Sequence, residues 1–355
     1  MDDRKRRTGK LGREPVFFVG LLAALALGGL AVTRLSVPDG PLVVVYTALD
    51  EEFSGPIFAR FTAQTGIRVL AKFDTESTKS VGLTQALLAE RARPRCDVFW
   101  NNEIVNTLRL DRAGLLGEYA SPAAADFPTQ FRDEANHWFG FAARARVFLV
   151  NTELVEAQSR PKSITDLCDP QWKDRVGIAK PLAGTTASHA ACLFAVWGQE
   201  RAEQFFRRLK AIVRIMGGNK QVAQAVGRGE LAWGLTDTDD ALVEIEMGSP
   251  VVIVYPDQGA DELGTLFIPN TVAIIRGAPH RESAEKLVDF LLSAEVEEAL
   301  AAGPSGQIPL RPGVKKSDRV ESPATVRAMD VDFSQAAEAW NAAAHSLRSI
   351  FTSAE

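Results

Sequence analysis

The chain has 355 residues, 46% of them apolar, and a formal net charge of -5, enough for two globular domains. An acidic balance whose one basic cluster lies at the N-terminus excludes a nucleic-acid-binding surface. The three cysteines, Cys96, Cys168 and Cys192, have no C-x-x-C spacing; Cys96 and Cys192 lie in apolar runs and read as core residues, and a Cys168–Cys192 disulfide stays open.

The elements follow in chain order. Residues 1–15 are basic, residues 16–32 ("VFFVGLLAALALGGLAV") carry no charge, and a Pro/Gly spacer follows, the pattern of an export signal or N-terminal membrane anchor. "PLVVVYTALD" reads as a buried strand. Phe53, Ile57 and Phe61 recur every four residues, predicting a helix over 51–65. "IRVLAKFD", a helix with Ser77 or Thr78 near its cap, and "CDVFW" complete a βαβαβ unit, hence parallel strands with crossover helices. "RARVFLVNT", the helix "GTTASHAACLFAVWG", "AVGRGELAWGLTD", "PVVIVYPD", "IPNTVAIIRG" and the helix "ESAEKLVDFLLSAEVEEALAA" continue the alternation. An amphipathic helix within 325–351 ends the chain. With two sets of strands and no linker, the chain crosses between lobes more than once, along "RARVFLVNT" and "IPNTVAIIRG".

"TDTDD" places Asp237, Asp239 and Asp240 where a strand hands over to a helix. Asp and Thr are favoured at helix starts, so capping explains part of it. Carboxylates so close repel one another, and a hard cation or an ammonium group relieves the repulsion. Tyr46 and Trp100 end the first and third strands, where open α/β sheets place ligands, with core packing as the alternative. Arg144 and Arg146 alternate on a strand and share one face. The histidines show no metal-ligand spacing, and the chain carries no G-x-S-x-G, H-E-x-x-H or P-loop signature of an enzyme.

The segments "VVVYTALDEEFSGPIFARFTAQTGIRV", "DVFWNNE", "DPQWKDRVGIAKP", "AVGRGELAWGLTDTDD" and "KLVDFLLSAEVEEALAAGPSGQIPLRPG" resemble the extracytoplasmic solute-binding proteins of ABC importers, the ferric-ion-binding group. The resemblance covers residues 42–313. It implies an α/β, two-lobe periplasmic-binding-protein-like fold with parallel-rich sheets and a ligand cleft between lobes. It also implies residues 41–142 and 267–313 as lobe 1, 143–266 as lobe 2, 1–40 as signal or anchor plus linker, and 314–355 as a helical tail. The family's ferric site uses a His, a Glu and two adjacent tyrosines. Here Asp50 stands in place of the His, Asn102 beside Glu103 in place of the Glu, and Asp239 and Asp240 in place of the tyrosines. Gly184, Thr185, Thr186 and Asn219 match the family's seat for a phosphate-like anion.

The expectation is therefore a monomeric, extracytoplasmic binding protein that closes like a hinge and serves an ABC permease, with no catalytic cofactor. It captures ferric iron or another hard metal ion on Asp50, Asp239 and Asp240 with an anion co-ligand. A small zwitterionic or phosphonate-type solute is the alternative, and a membrane-anchored sensor or scaffold is the alternative from another class. Tyr46, Ser77, Thr78, Trp100, Asn102, Glu103, Arg144 and Asp237 are the further candidate ligand contacts.

Overall fold

A computed structural model of the chain describes residues 40–75 and 78–352. Residues 16–32, expected to be an export signal or anchor, and Ser77 lie outside the described residues, and among the described residues no helix is long and apolar enough to cross a membrane.

The first half is the expected βαβαβ unit. β1 (Leu42–Thr47) pairs in parallel with β2 (Arg68–Phe73) and β3 (Val98–Asn101), with α1 (Glu51–Thr65) and α2 (Val81–Ala89) as crossovers. Phe53, Ile57, Phe58 and Phe61 form the buried face of α1, and Gly66, at φ 72°, ends it with the left-handed turn that glycine adopts without strain. Complete burial of a side chain such as Phe61 stabilises by about 1.5–3 kcal/mol. α3 (Val105–Arg112) and the short β4 (Leu116–Gly117) follow.

β5 (Phe139–Asn151) joins the two halves. All thirteen of its residues are buried, and they serve two partners in turn. Phe139–Ala145 pairs antiparallel with β10 (Phe267–Ile275), and Arg146–Asn151 pairs antiparallel with β8 (Trp233–Asp237) and β9 (Val251–Val254). β10 itself stays beside β3 in the first half, so the return crossing is the segment between β9 and β10. In the second half β6 (Val176–Ala179) pairs in parallel with β7 (Arg214–Met216) and β8. The strand order is β2-β1-β3-β10-β5-β8-β6-β7. The sheet is mixed: each half keeps a parallel core, and the strands near the crossing supply the antiparallel pairings.

Helices α4 (Gly184–Trp197), α5 (Gln199–Lys210), α6 (Asn219–Gly227) and α7 (Thr238–Glu246) belong to the second half. The single helix expected over 282–302 is two, α8 (Arg281–Leu291) and α9 (Ala294–Ala302), because Ser293 starts a new one by accepting from the Val296 N–H at 3.4 Å. Glu297 of α9 is fully buried and accepts from three backbone N–H groups, those of Ala142, Leu310 and Arg311, at 2.8–2.9 Å. The last helix, α10 (Phe333–Thr352), starts later than its sequence pattern indicates. The residues before it form a turn and then a single bridge to Thr265 at Ala328, with Met329 N–H donating to the Thr265 carbonyl at 2.8 Å. All three cysteines are free and buried, so no Cys168–Cys192 disulfide forms.

Candidate functional site

The "TDTDD" segment does not cap its helix. Asp237 occupies the N-cap position of α7, but its side chain makes no cap hydrogen bond. Two guanidiniums from β5 claim it instead. Arg146 Nη1 lies 2.7 Å from Asp237 Oδ1, and Arg144 Nη1 lies 3.3 Å from Asp237 Oδ2 and 3.2 Å from Asp239 Oδ2. Arg144 and Arg146 are two apart on a strand and therefore reach the same side. Arg144 also donates to the Asn102 carbonyl in the first half, so it bridges the two halves.

Around this charge network sits a second cluster. Thr185 Oγ1 donates to Asp237 Oδ2 at 2.6 Å, Thr186 Oγ1 donates to Asn219 Oδ1 at 3.0 Å, and Asn219 Nδ2 donates to Thr185 Oγ1 at 2.8 Å. Arg146 reaches Thr185, Thr186 and Asn219 as well. α4 and α6 both begin here without a side-chain cap, and a cavity of about 200 Å³ opens at the two starts, lined by Lys79, Lys180, Gly184, Thr186, Gly218 and Asn219. Uncapped N–H groups and the positive ends of two helix dipoles favour an anion. The Gly184 N–H donates across to the Lys79 carbonyl at 2.8 Å, and Gly184 has φ 58°, a conformation that disfavours any side chain.

The acidic residues meet at the same place. One oxygen from each of Asp237, Asp239 and Asp240 lies within 4.8 Å of the other two. Asp50 approaches from the first half, where Lys79 Nζ pairs with it at 2.7 Å. Their protonation differs by environment. Burial favours a neutral Asp237, but the Arg146 and Arg144 charges and the Thr185 hydrogen bond hold it below the ordinary carboxylate range. Burial pushes Asp239 up, and the neighbouring Asp237 adds to the rise although Arg144 opposes it.

Other sequence candidates point elsewhere. The Tyr46 hydroxyl donates to Glu90 at 2.9 Å and its ring belongs to the core; burial, then Glu90, raises its pKa. Trp100 is fully buried, edge-on to Phe58 and tilted against Phe141, both at 5.5 Å. Thr78 bonds Asp74 on an exposed turn at 2.8 Å. Glu103 turns inward: it accepts from Asn101, from the Asn106 N–H at the start of α3, and from Ser188 Oγ of α4 at 2.6 Å. Asn102 accepts from Ser80 Oγ at 2.7 Å beside the site. Lys79, Ser80 and Ser188 carry no motif; only the fold brings them in.

His189, one turn into α4, is 6% exposed, and burial followed by the Arg146 charge depresses its pKa to about 3. An unfolded His takes a proton near pH 6.5 and the folded one does not. The unfolded state therefore binds more protons, and this contribution to stability falls as pH drops from about 6.5 toward 3. Melting temperature is expected to fall between pH 7 and 5, and His189→Gln is expected to flatten that slope. An unchanged slope in the variant would contradict the assignment.

Residues 107–336 match the family described as bacterial extracellular solute-binding proteins. Iron uptake protein A1 of Synechocystis sp. is 26% identical over 334 residues, covering 88% of this chain and 91% of that protein. The major ferric iron-binding protein of Neisseria meningitidis serogroup A is 24% identical over 310 residues, covering 83% and 89%. The crystal structure of iron-bound HitA from Pseudomonas aeruginosa superposes with a TM-score of 0.80 at 25% identity, covering 88% of this chain and 100% of that one. A two-lobe fold, a site at the crossing of the lobes and a match over most of the chain agree: the protein belongs to the bacterial extracellular solute-binding family, the ligand-capturing components of transport systems.

Proposed function

We propose that the protein captures ferric iron or another hard metal ion together with a phosphate-like anion and hands them to an ABC permease. Residues 16–32 would direct its export, and the lobes 41–142 with 267–313 and 143–266 would close on the solute. The observation that carries the reading is the adjacency of two opposite seats. Asp239 and Asp240, with Asp50 near enough to act on Asp239, would supply hard oxygen donors, and the paired starts of α4 and α6 would supply an anion seat. The iron named in two relatives supports the same class of cargo.

A second reading rests on the cations already present. Arg146 pairs with Asp237, Arg144 with both Asp237 and Asp239, and Lys79 with Asp50. The chain's three tyrosines are engaged elsewhere: Tyr46 with Glu90, Tyr119 with Asp289 and Tyr255 with Glu321. No phenolate therefore serves the site, and a zwitterionic organophosphorus solute, with its ammonium on the aspartates, fits the same seats. Calorimetry separates the two. Ferric citrate with phosphate is expected to bind and 2-aminoethylphosphonate in excess chelator is not; the reverse result would replace the first reading with the second.

A further inference from the structure

The C-terminal helix is fastened to both halves. Near its start, Arg112 of α3 donates to the Ser334 carbonyl and to Glu338 Oε1, each at 2.9 Å, and the Arg109 guanidinium lies 4.7 Å from the Trp340 ring centre. Toward its end, Ser346 Oγ donates to Glu203 Oε1 of α5 at 2.6 Å, and Phe351 stands edge-on to Phe206. α3 follows directly from the Asn102–Glu103 loop, and α4 opens with Gly184, Thr185 and Thr186. α10 also packs along α4 beside Ala187, and so ties together two helices whose leading ends frame the site.

The two seams differ in extent. Against the second half, α10 buries Ala336, Ala343, Leu347 and Ile350 in the core that also holds Ala187, Ala190 and Phe206. Against α3, whose Val105 and Leu108 border the same core, the packing is less extensive; two arginines fasten its outer edge, and the Arg112–Glu338 pair is exposed, at 40% and 68%. A cavity of about 740 Å³ opens beside that seam, among Leu108, Arg112, Trp138, Met329 and Phe333. An apolar buried seam holds firmly, whereas an exposed ion pair over a cavity yields at little cost.

We propose that α10 travels with the second lobe and that its arginine seam with α3 is the catch that limits how far the cleft opens. The proposal rests on the reading of the cleft as the solute site, but its test needs no solute. β2 and β7 are the opposite ends of the sheet, and Leu70 and Ile215 are exposed on them, at 46% and 38%, while the native cysteines are buried. Spin labels at Leu70→Cys and Ile215→Cys report the opening as a distance distribution by pulsed electron resonance. In the Arg109→Gln/Arg112→Gln background the longer-distance population is expected to rise about threefold to tenfold. High salt is expected to move the parent protein the same way, and this arm alone decides the matter should the double variant fail to fold. Distributions that superpose in both comparisons overturn the proposal.

Discussion

Replacing Arg146 with methionine is expected to cost about 3–5 kcal/mol of folding stability, read as a shift in the urea midpoint. The guanidinium is fully buried and is the closest cation to Asp237, at 2.7 Å. Removing it leaves a buried carboxylate whose remaining ion pair is Arg144 at 3.3 Å, and it strips hydrogen bonds from Thr185, Thr186 and Asn219 together. The cost is that of an uncompensated charge rather than of a lost contact. It follows that Arg146→Met/Asp237→Asn is expected to recover part of the loss, since asparagine can still hydrogen-bond Thr185 and Asn219 without carrying charge. A double variant no more stable than the single one would disprove this account.

The second large effect is on binding. Asp239→Asn/Asp240→Asn is expected to weaken capture of the cation by about 100-fold or more, roughly 3 kcal/mol, while phosphate alone binds as before. The fold is expected to survive, because burial already disfavours the charged form of Asp239. The sign of the pH dependence follows. A carboxyl whose folded pKa is raised binds its proton more readily folded than unfolded, so acid favours its neutral form, which no longer attracts a cation. Cation affinity in the parent protein should therefore fall on acidification, and this part of the fall should be missing in the double variant. Retained affinity in the variant, measured by calorimetry, would remove both aspartates from the site.

Much of the architecture is legible in the sequence. β-Branched runs such as "LVVV" and "VVIV" marked strands, the first reaching the core and the second only half-buried, and the four-residue spacing of Phe53, Ile57 and Phe61 marked α1. The site was legible in part. Asp237, Asp239, Asp240, Gly184, Thr185, Thr186 and Asn219 do converge, because each sits at a strand end or a helix start on one side of the second half. Tyr46 and Trp100 show where such reasoning stops. Position at a strand end says that a residue is near the ligand edge, but the pleat decides which face it takes, and both face the core. Glu103 failed for another reason: its partners Ser188 and Asn106 belong to different helices, and nothing local marks their meeting. The break between α8 and α9 was visible only as one serine inside an otherwise continuous apolar rhythm.

The pinning of Ala142 by Glu297 bears on how the protein comes into being. Synthesis runs from the N-terminus, so the strand that closes the first sheet, β10, and the carboxylate that secures the crossing strand are both made after the whole second half. Until then the outer edge of β3 and the first part of β5 lack their partner β10, and pairings between residues so far apart in sequence form slowly. The first sheet of a chain with this topology is expected to close only late in synthesis, and a sheet still open is easier to thread through a narrow secretion channel than a closed one.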